Sequence, residues 1–268
     1  MAGQTTFDYS GESAIVTGST SGIGRGIAEA LARADADVVI NSRTESDVDS
    51  TVSDLETYGD GTVVGVAADL SEPTEIETLV EQAISSVGDV SILVNNAAIW
   101  PDERSMIDAS LEDWELTMDV NVRSQYYASK LVAQHMIDND TDGSIVNIGS
   151  QTGDRRAGRR GLYGTSKTAV NGLTWRMAHE LAEEGIRMNA VSTDVTMSRQ
   201  LRYEANQISN EDPNRSTDDV LEEWGNERPL GRLGDAEDLA NAVLYLCSDA
   251  ASYVVGTIVR VSGGGNLQ

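Results

Sequence analysis

The sequence is poor in residues that form disulfides and metal sites. Its 268 residues include one cysteine, Cys247, and two histidines. An intramolecular disulfide and a cysteine- or histidine-cluster metal site are therefore excluded. No run approaches 18 apolar residues, and the opening MAGQTTFDYSGES lacks the basic start and apolar core of a signal peptide. We expect a cytoplasmic protein that binds no metal and no membrane.

Positive charge is scarce as well. The chain has 44 acidic and 19 basic residues, a formal charge of −25, and its only lysines are Lys130 and Lys167. Because phosphate binding depends on Lys and Arg, nucleic acid and anionic membranes are not expected partners. This composition, poor in lysine but not in arginine, resembles that of proteins from extreme halophiles. Molar salt there shortens the screening length to ~3 Å, so the acidic side chains repel one another little. The alternative is an acidic protein of an ordinary cytosol.

Proline is also rare, and no Gly/Ser/Pro-rich linker divides the chain, which predicts one domain over residues 1–268. Near-continuous apolar runs that alternate with helical stretches are typical of a parallel sheet covered on both faces. Right-handed crossovers then give a single-domain, doubly wound α/β fold of the Rossmann type with about seven strands. The polar, irregular stretch 198–226 is interpreted as a substrate lid. The predicted strands are residues 13–17, 38–40, 62–66, 92–94, 144–148, 188–191 and 257–261.

A glycine-rich turn follows the first predicted strand and precedes a helix. Glycines let the backbone approach a pyrophosphate, and free amides at the helix N-terminus face the phosphate charge. This context predicts a dinucleotide site. Its candidate residues are Gly18, Ser19, Thr20, Ser21, Gly22, Ile23 and Gly24.

With Thr17, this spacing resembles the TGxxxGxG turn of the short-chain dehydrogenase/reductase family, and the similarity runs from about residue 11 to residue 265. Asn95-Asn96-Ala97-Ala98 resembles the family's NNAG motif, with alanine in place of the last glycine. The resemblance implies a homotetrameric oxidoreductase that transfers a hydride between a nicotinamide cofactor and a hydroxyl or carbonyl substrate. The other matching residues are Asp69, Leu70, Asn121 on a long helix, Ser150, Tyr163 and Lys167.

The chemistry depends on Tyr163 and Lys167, which stand one helical turn apart on the same face. A free tyrosine has a pKa near 10, and a nearby cation lowers it, so the pair predicts a usable general base. The resemblance implies that Lys167 also binds the nicotinamide ribose. It further implies that Ser150 holds the substrate oxygen and that Asn121 anchors a proton-relaying water.

The end of the second predicted strand indicates the cofactor. An NAD site usually carries an acidic residue there, whereas this chain has Ser42 followed by Arg43. A guanidinium can fork onto a 2′-phosphate, so we expect NADP rather than NAD. The alternative is that Arg43 pairs with an acid such as Glu45.

The resemblance also implies further contacts with the cofactor. Asp69 and Leu70 are expected near its adenine ring, Asn96 at a ribose, and Thr196 near the nicotinamide carboxamide. Asn95 is interpreted as a residue that caps neighbouring backbone.

The chain departs from the family after the sixth strand, where Thr193 and Asp194 replace Pro-Gly. The sequence therefore does not determine the backbone conformation beside the nicotinamide. One alternative is that the Asp194 carboxylate points into the pocket and binds a polar substrate hydroxyl. The sequence from Arg155 to Arg160 contains four arginines. They either recognise an anionic substrate or, as we favour, form ion pairs with a neighbouring subunit.

The polar lid, poor in aliphatic residues, favours a hydroxylated substrate and hence a sugar (aldose or polyol) dehydrogenase. A 3-oxoacyl thioester reductase is the alternative. A non-catalytic, NADP-binding regulatory relative is a remote one, disfavoured because Tyr163 and Lys167 are both present.

Overall fold

The computed structural model describes residues 6–101, 106–154, 160–212 and 214–267. Within these ranges, seven strands form one parallel sheet in the order β3-β2-β1-β4-β5-β6-β7. Each lies on one of the predicted apolar runs, which confirms the doubly wound, single-domain fold. The strands are β1 Ser13–Val16, β2 Asp37–Ser42, β3 Val63–Ala67, β4 Ile92–Asn95, β5 Gly143–Ser150, β6 Ile186–Thr193 and β7 Ile258–Val261.

Helices cover both faces of the sheet. Side chains alternate between the two faces along a strand, and both faces are buried here. Ala14 and Val16 belong to one apolar cluster, whereas Ile15 between them belongs to the other. The described helices are α1 Gly22–Arg33, α2 Glu45–Leu55, α3 Pro73–Val87, α4 Leu111–Met118, α5 Ser124–Asp138, α6 Gly161–Leu181, α7 Arg199–Glu211, α8 Thr217–Asn226 and α9 Ala236–Cys247.

The two clusters form the core. One contains Leu31 of α1 and Val243 of α9, and the other contains Leu79 of α3 and Met136 of α5. All four side chains are fully buried. Full burial of one such side chain contributes about 1.5–3 kcal/mol, so the stability of the domain rests largely on these two layers.

The strand order reverses beside β1, which pairs with β2 on one side and β4 on the other. In open parallel sheets, ligands bind at this reversal, outside the carboxyl ends of the strands. The segments that follow β1, β2, β4, β5 and β6 therefore meet at one edge of the sheet. Apart from Asn121, Tyr163 and Lys167, the predicted site residues lie at a strand end, in the loop that follows one, or in the first turn of α1.

The prediction of an irregular segment at residues 198–226 is wrong. The segment forms α7 and α8, which pack together through Ala205, Val220 and Leu221. Ser198 caps α7, and Ser216 with Asp219 forms a capping box on α8. The apolar pattern of α7 is weak because Ala205 is its one buried residue. For α8, however, the sequence from Ser216 to Asp219 has the Ser-x-x-Asp pattern of a capping box, which predicts a helix start.

No helix in the described ranges is long and apolar enough to cross a membrane. Those ranges also hold no group of three or more His, Cys, Asp or Glu side chains able to bind a metal ion.

Candidate active site

The turn after β1 has a backbone that requires glycine. Gly18 and Gly22 have φ values of +62° and +57°, in the left-handed region. A Cβ on Gly18 would lie 2.9 Å from the Cα of Ala97, and one on Gly24 would clash with Asn96. The side-chain amide of Asn96 donates to the carbonyls of Thr17 and Gly18 at 2.9 and 3.0 Å. The loops after β1 and β4 are thereby held together.

The N-terminus of α1 is open towards this turn. Among the described residues, Ser21 makes no side-chain cap, and the first turn of α1 contains no acidic residue. Its amides are therefore available to an anion, which the helix dipole also favours. The residues present thus suit a dinucleotide pyrophosphate.

A cavity of about 530 Å³ extends from this turn along the carboxyl edge of the sheet. This volume lies within the range usual for ligand sites, roughly 300–1,000 Å³. Fourteen of the fifteen predicted cofactor residues line it. They are Gly18, Thr20, Ser21, Gly22, Ile23, Gly24, Ser42, Arg43, Asp69, Leu70, Asn96, Tyr163, Lys167 and Thr196.

Ser19 is the predicted cofactor residue that does not line the cavity. It is fully buried, and its hydroxyl accepts a hydrogen bond from the backbone of Asn41 at 2.9 Å. The Asn41 side chain donates to the carbonyls of Val66 and Ala68 at 3.2 and 3.4 Å. Sequence reasoning missed Asn41, although a polar residue within an apolar strand was the signal.

At the adenosine end, Arg43 is exposed and lines the cavity. Within the described part of the chain it forms no ion pair, so the pairing with Glu45 is not seen. One carboxylate oxygen of Asp69 accepts from the amide and hydroxyl of Ser71 at 2.9 and 2.8 Å. Asn95 bonds chiefly to side chains rather than backbone, donating to Ser129 and Asn147 at 2.9 Å each.

The predicted catalytic residues Tyr163 and Lys167 line the other end of the cavity, whereas Ser150 and Asn121 are not part of its lining. Tyr163 and Lys167 on α6 are 3% and 1% exposed. The Nζ atom of Lys167 donates to the carbonyl of Ile148 at 2.8 Å and lies 5.6 Å from the centroid of the Tyr163 ring. Ser150 closes β5, and its hydroxyl donates to the hydroxyl of Thr152 at 3.1 Å.

Asn121 lies in a π-helical turn, Asp119–Arg123, that joins α4 to α5, rather than in an uninterrupted long helix. Its amide donates to the carbonyl of Ile99 at 3.0 Å and to the hydroxyl of Ser166 at 3.1 Å. Its carbonyl oxygen accepts from the amide of Ile99 at 2.8 Å. These bonds fix the asparagine between the loop after β4 and the catalytic helix.

Burial dominates the titration of the catalytic pair. It raises the pKa of Tyr163 above its ordinary value, and the hydrogen bond with Ser150 and the charge of Arg160 oppose this rise. Burial also lowers the pKa of Lys167 to about 8. The expected lowering of the Tyr163 pKa by Lys167 is therefore not what the structure shows, because Nζ points to the Ile148 carbonyl and the phenol is desolvated.

An aromatic ring accounts for part of that desolvation. Trp100 stacks on Tyr163, with ring centroids 4.2 Å apart and an interplanar angle of 13°. The guanidinium of Arg160 lies 5.5 Å from the Trp100 ring and pairs with Glu204 of α7. Gln200 donates to the second oxygen of Glu204 at 3.2 Å. The predicted lid is thus linked to the catalytic tyrosine through the side chains of Arg160 and Trp100. No sequence motif had predicted this link.

Two open points of the sequence fall here. Asp194 lines the cavity, but its carboxylate is paired with the guanidinium of Arg228. Of the four clustered arginines, Arg160 is described. Arg155, Arg156 and Arg159 lie outside the described residues.

Comparisons with known proteins agree with this arrangement. A family model described as enoyl-(acyl carrier protein) reductase matches residues 18–266. The chain is 36% identical to a 3-oxoacyl-(acyl-carrier-protein) reductase of Haemophilus influenzae, with 95% of this chain and 98% of that protein covered. It is 32% identical to glucose 1-dehydrogenase 2 of Bacillus subtilis, with 97% and 96% covered.

Among solved structures, L-sorbose reductase of Gluconobacter frateurii, complexed with NADPH and L-sorbose, superposes with a TM-score of 0.92 at 26% identity. The match covers 97% of this chain and 98% of that one. The chain belongs to the short-chain dehydrogenase/reductase family. The predicted oxidoreductase acting on hydroxyl or carbonyl substrates is thereby confirmed.

Proposed function

We propose that the chain is an NADP-dependent sugar oxidoreductase that interconverts a hydroxyl and a carbonyl of an aldose or polyol. The observation that carries this proposal is the set of side chains next to Tyr163. Trp100 stacks on the tyrosine ring, and Arg160, Glu204 and Gln200 continue the contacts from there. An aromatic face with a few convergent polar groups suits a small hydroxylated ligand better than a long acyl chain. The likeness to a glucose dehydrogenase and to an L-sorbose reductase supports the same substrate class.

Each catalytic side chain has a defined task in this proposal. Bound NADP(H) supplies or accepts the hydride at its nicotinamide. The hydroxyl of Tyr163 donates or removes the proton at the substrate oxygen, and the hydroxyl of Ser150 hydrogen-bonds that oxygen. Lys167, with its pKa near neutrality, can exchange the proton onwards. Asn121 positions the water that carries it, between the loop after β4 and α6.

The alternative is a 3-oxoacyl thioester reductase, which the 36% identity to the Haemophilus influenzae enzyme favours. A substrate panel distinguishes the two. Sugars, polyols, acyl thioesters and simple alcohols are offered in potassium-rich buffer while nicotinamide absorbance is followed. We expect the highest kcat/KM with a sugar or polyol. A higher value with the acyl thioester would overturn the sugar assignment.

The preference for NADP rests on Ser42 and Arg43. No carboxylate at position 42 repels a 2′-phosphate. The exposed Arg43 forms no ion pair with a described residue and can hold that phosphate by charge-assisted bonds worth about 1.5–3 kcal/mol each. This corresponds to roughly tenfold or more in preference. Ser42→Asp with Arg43→Ala should move the kcat/KM ratio towards NAD. A parent enzyme that already prefers NAD by about tenfold would contradict the assignment.

The surroundings in which the enzyme works are proposed from its charge and surface. We assign it to a salt-rich cytoplasm, as a homotetramer whose residues 198–226 act as the substrate lid. Trp114 of α4, Tyr126 of α5 and Trp175 of α6 are 37–54% exposed, and both α4 and α5 contact α6. Such aromatic surface supports subunit contacts. Light scattering in potassium chloride, with a tetramer mass as the expected result, tests the assembly.

A further inference from the structure

The backbone of the segment after β6 is fixed by hydrogen bonds and an ion pair rather than by the conformational preferences of its residues. Proline fixes φ and glycine permits unusual φ values, so a Pro-Gly pair shapes backbone intrinsically. Thr193 and Asp194, which stand in those positions, have neither property. Some other interaction must therefore fix the backbone of this cavity wall.

Local hydrogen bonds supply part of the answer. The hydroxyls of Thr193 and Thr196 lie 2.6 Å apart. Gly234 donates to the carbonyl of Val195 at 3.1 Å, and Met197 donates to the carbonyl of Gly234 at 2.9 Å. The Thr193 hydroxyl also donates to the backbone carbonyl of Asp194 at 3.3 Å. These contacts involve backbone and hydroxyl groups and not the Asp194 carboxylate.

Asp194 is held instead by Arg228, two residues beyond the end of α8. The two side chains are 9% and 11% exposed. Arg228 also donates to the carbonyl of Trp224 at 3.3 Å and to the carboxylate of Glu227 at 3.1 Å. A Cβ on Gly265 would clash with the Asp194 carboxylate and lie 2.9 Å from the Arg228 guanidinium. The pair is thus enclosed between the end of the lid and the chain's last turn.

The same backbone lines the cofactor cavity. Thr193, Asp194 and Thr196 contribute to the wall at the end that holds Tyr163 and Lys167, and Arg228 does not. We propose that Arg228 is a positioning residue which, through Asp194, holds residues 193–196 in the conformation that receives the nicotinamide end of the cofactor. The proposal rests on a nicotinamide dinucleotide binding in this cavity. It depends neither on the sugar assignment nor on the choice between NADP and NAD.

The pair also makes the lid part of the cofactor site. Arg228 follows directly on α8, so a displacement of that helix is transmitted to the wall beside the nicotinamide. A buried, hydrogen-bonded ion pair suits this task in salt, because buried charges are screened much less than exposed ones.

The test compares a whole dinucleotide with a fragment that lacks the nicotinamide. Whichever reduced dinucleotide the parent binds more tightly is titrated, alongside 2′-phospho-ADP-ribose or ADP-ribose as its counterpart. Arg228→Met removes the cation, Asp194→Asn removes the carboxylate charge in nearly the same volume, and Arg228→Lys keeps the charge. The matched control is Arg215→Met, which breaks the exposed pair with Glu223 in the same lid.

We expect Arg228→Met and Asp194→Asn to weaken dinucleotide binding by about tenfold or more, because truncating one partner of a buried pair leaves the other unpaired. Affinity for the fragment should stay within about twofold of the parent, since the adenosine end is untouched. Turnover at saturating dinucleotide should fall as well, because a misplaced ring reacts slowly. Arg228→Lys should recover much of both losses, and Arg215→Met should change neither.

Equal losses of dinucleotide and fragment affinity would overturn the proposal, because they indicate a general structural defect. Unchanged dinucleotide affinity in Asp194→Asn would overturn it too. If Arg228→Met does not fold, the Asp194→Asn and Arg228→Lys pair decides, since asparagine matches aspartate in size and lysine keeps the charge on a side chain of similar length. A wrong sugar assignment shows up in the substrate panel and leaves these binding ratios unaffected.

Discussion

At the scale of single residues, the catalytic tyrosine and lysine are almost fully buried. Tyr163 lies beneath Trp100, and its hydroxyl meets Ser150. Removing that hydroxyl by Tyr163→Phe keeps the ring and its stacking, so dinucleotide affinity should remain near that of the parent. Turnover should fall by about 10²–10⁴-fold, the usual contribution of general acid–base catalysis. Steady-state kinetics and a binding titration measure the two effects, and turnover within about tenfold of the parent would exclude Tyr163 as the proton donor.

Lys167 imposes a stability cost on the fold. Burial lowers its pKa from 10.5 to about 8. The folded state therefore binds fewer protons than the unfolded state between these values, and stability rises as pH increases from about 8 to 10.5. Below pH 8 the full cost applies, about 3 kcal/mol from the size of the shift.

Lys167→Met should therefore stabilise the protein at neutral pH while abolishing activity. The lost hydrogen bond to Ile148 costs about 1 kcal/mol, which leaves a net gain of about 2 kcal/mol, or roughly 4–8 °C in Tm. The gain should disappear as pH approaches 10. Thermal melts at both pH values measure it, with the exposed Lys130→Met as control. A lower Tm for Lys167→Met at pH 7 would contradict the prediction.

Residues related by short spacing were predictable, and residues paired across the fold were not. Tyr163 and Lys167 share a helix face, and Ser150 closes a strand that the apolar pattern locates. Arg228 is separated from Asp194 by 34 residues, and Glu204 from Arg160 by 44. No period of a helix or strand links such positions, so only the packed structure identifies these partners.

At the scale of elements, an ion pair between described residues joins the proposed lid to the catalytic helix. Arg160 at the N-terminus of α6 pairs with Glu204 of α7, and their side chains are 28% and 19% exposed. Glu204→Gln should weaken this link by about 1 kcal/mol, which lowers kcat/KM for the substrate by about fivefold. Dinucleotide affinity should stay constant, because neither residue approaches the adenosine end.

The matched control for that variant is Glu223→Gln, which disrupts the pair with Arg215 inside the lid. It should leave kcat/KM for the substrate unchanged. Equal losses in the two variants would show that any loosening of the lid slows the reaction, and the link through Arg160 would then have no special role.

Elements with a strong apolar pattern were predictable, whereas polar ones were hidden. All seven strands follow from runs of aliphatic residues, because both faces of the sheet are buried. α7 escaped prediction because its exposed faces are polar and a single side chain, Ala205, is buried. The break in the helix at Asn121 was not predictable either, since its cause is the bonds that Asn121 makes to Ile99 and Ser166.

At the scale of the whole molecule, a formal charge of −25 acts against the compact state. The described ion pairs use arginine on the basic side, apart from one that involves His135. Salt screens exposed repulsion strongly and buried pairs weakly. We therefore expect Tm to rise with potassium chloride from ~0.1 to 2 M, because salt weakens the repulsion between exposed acidic side chains more than the attraction within buried ion pairs.

Melts in sucrose provide the control for that measurement. Sucrose stabilises compact states by exclusion from the surface without screening charge. The rise in potassium chloride should exceed the rise in sucrose of equal osmolarity. A Tm that is flat or falls with salt would contradict the halophilic assignment.

The π-helical turn at Asp119–Arg123 has a consequence for how the enzyme can change over evolution. The amide of Ser124 bonds to the carbonyl of Asp119, five residues back, so the turn equals an α-helix with one inserted residue. Deleting any single residue there would restore a continuous α-helix. Because the wide turn accommodates the extra residue, the helices on either side would keep their relative faces, and the change would fall on the residues of the turn itself. The bonds of Asn121 to Ile99 and Ser166 depend on that turn, so we expect a one-residue gap at this point in relatives that lack the role proposed for Asn121.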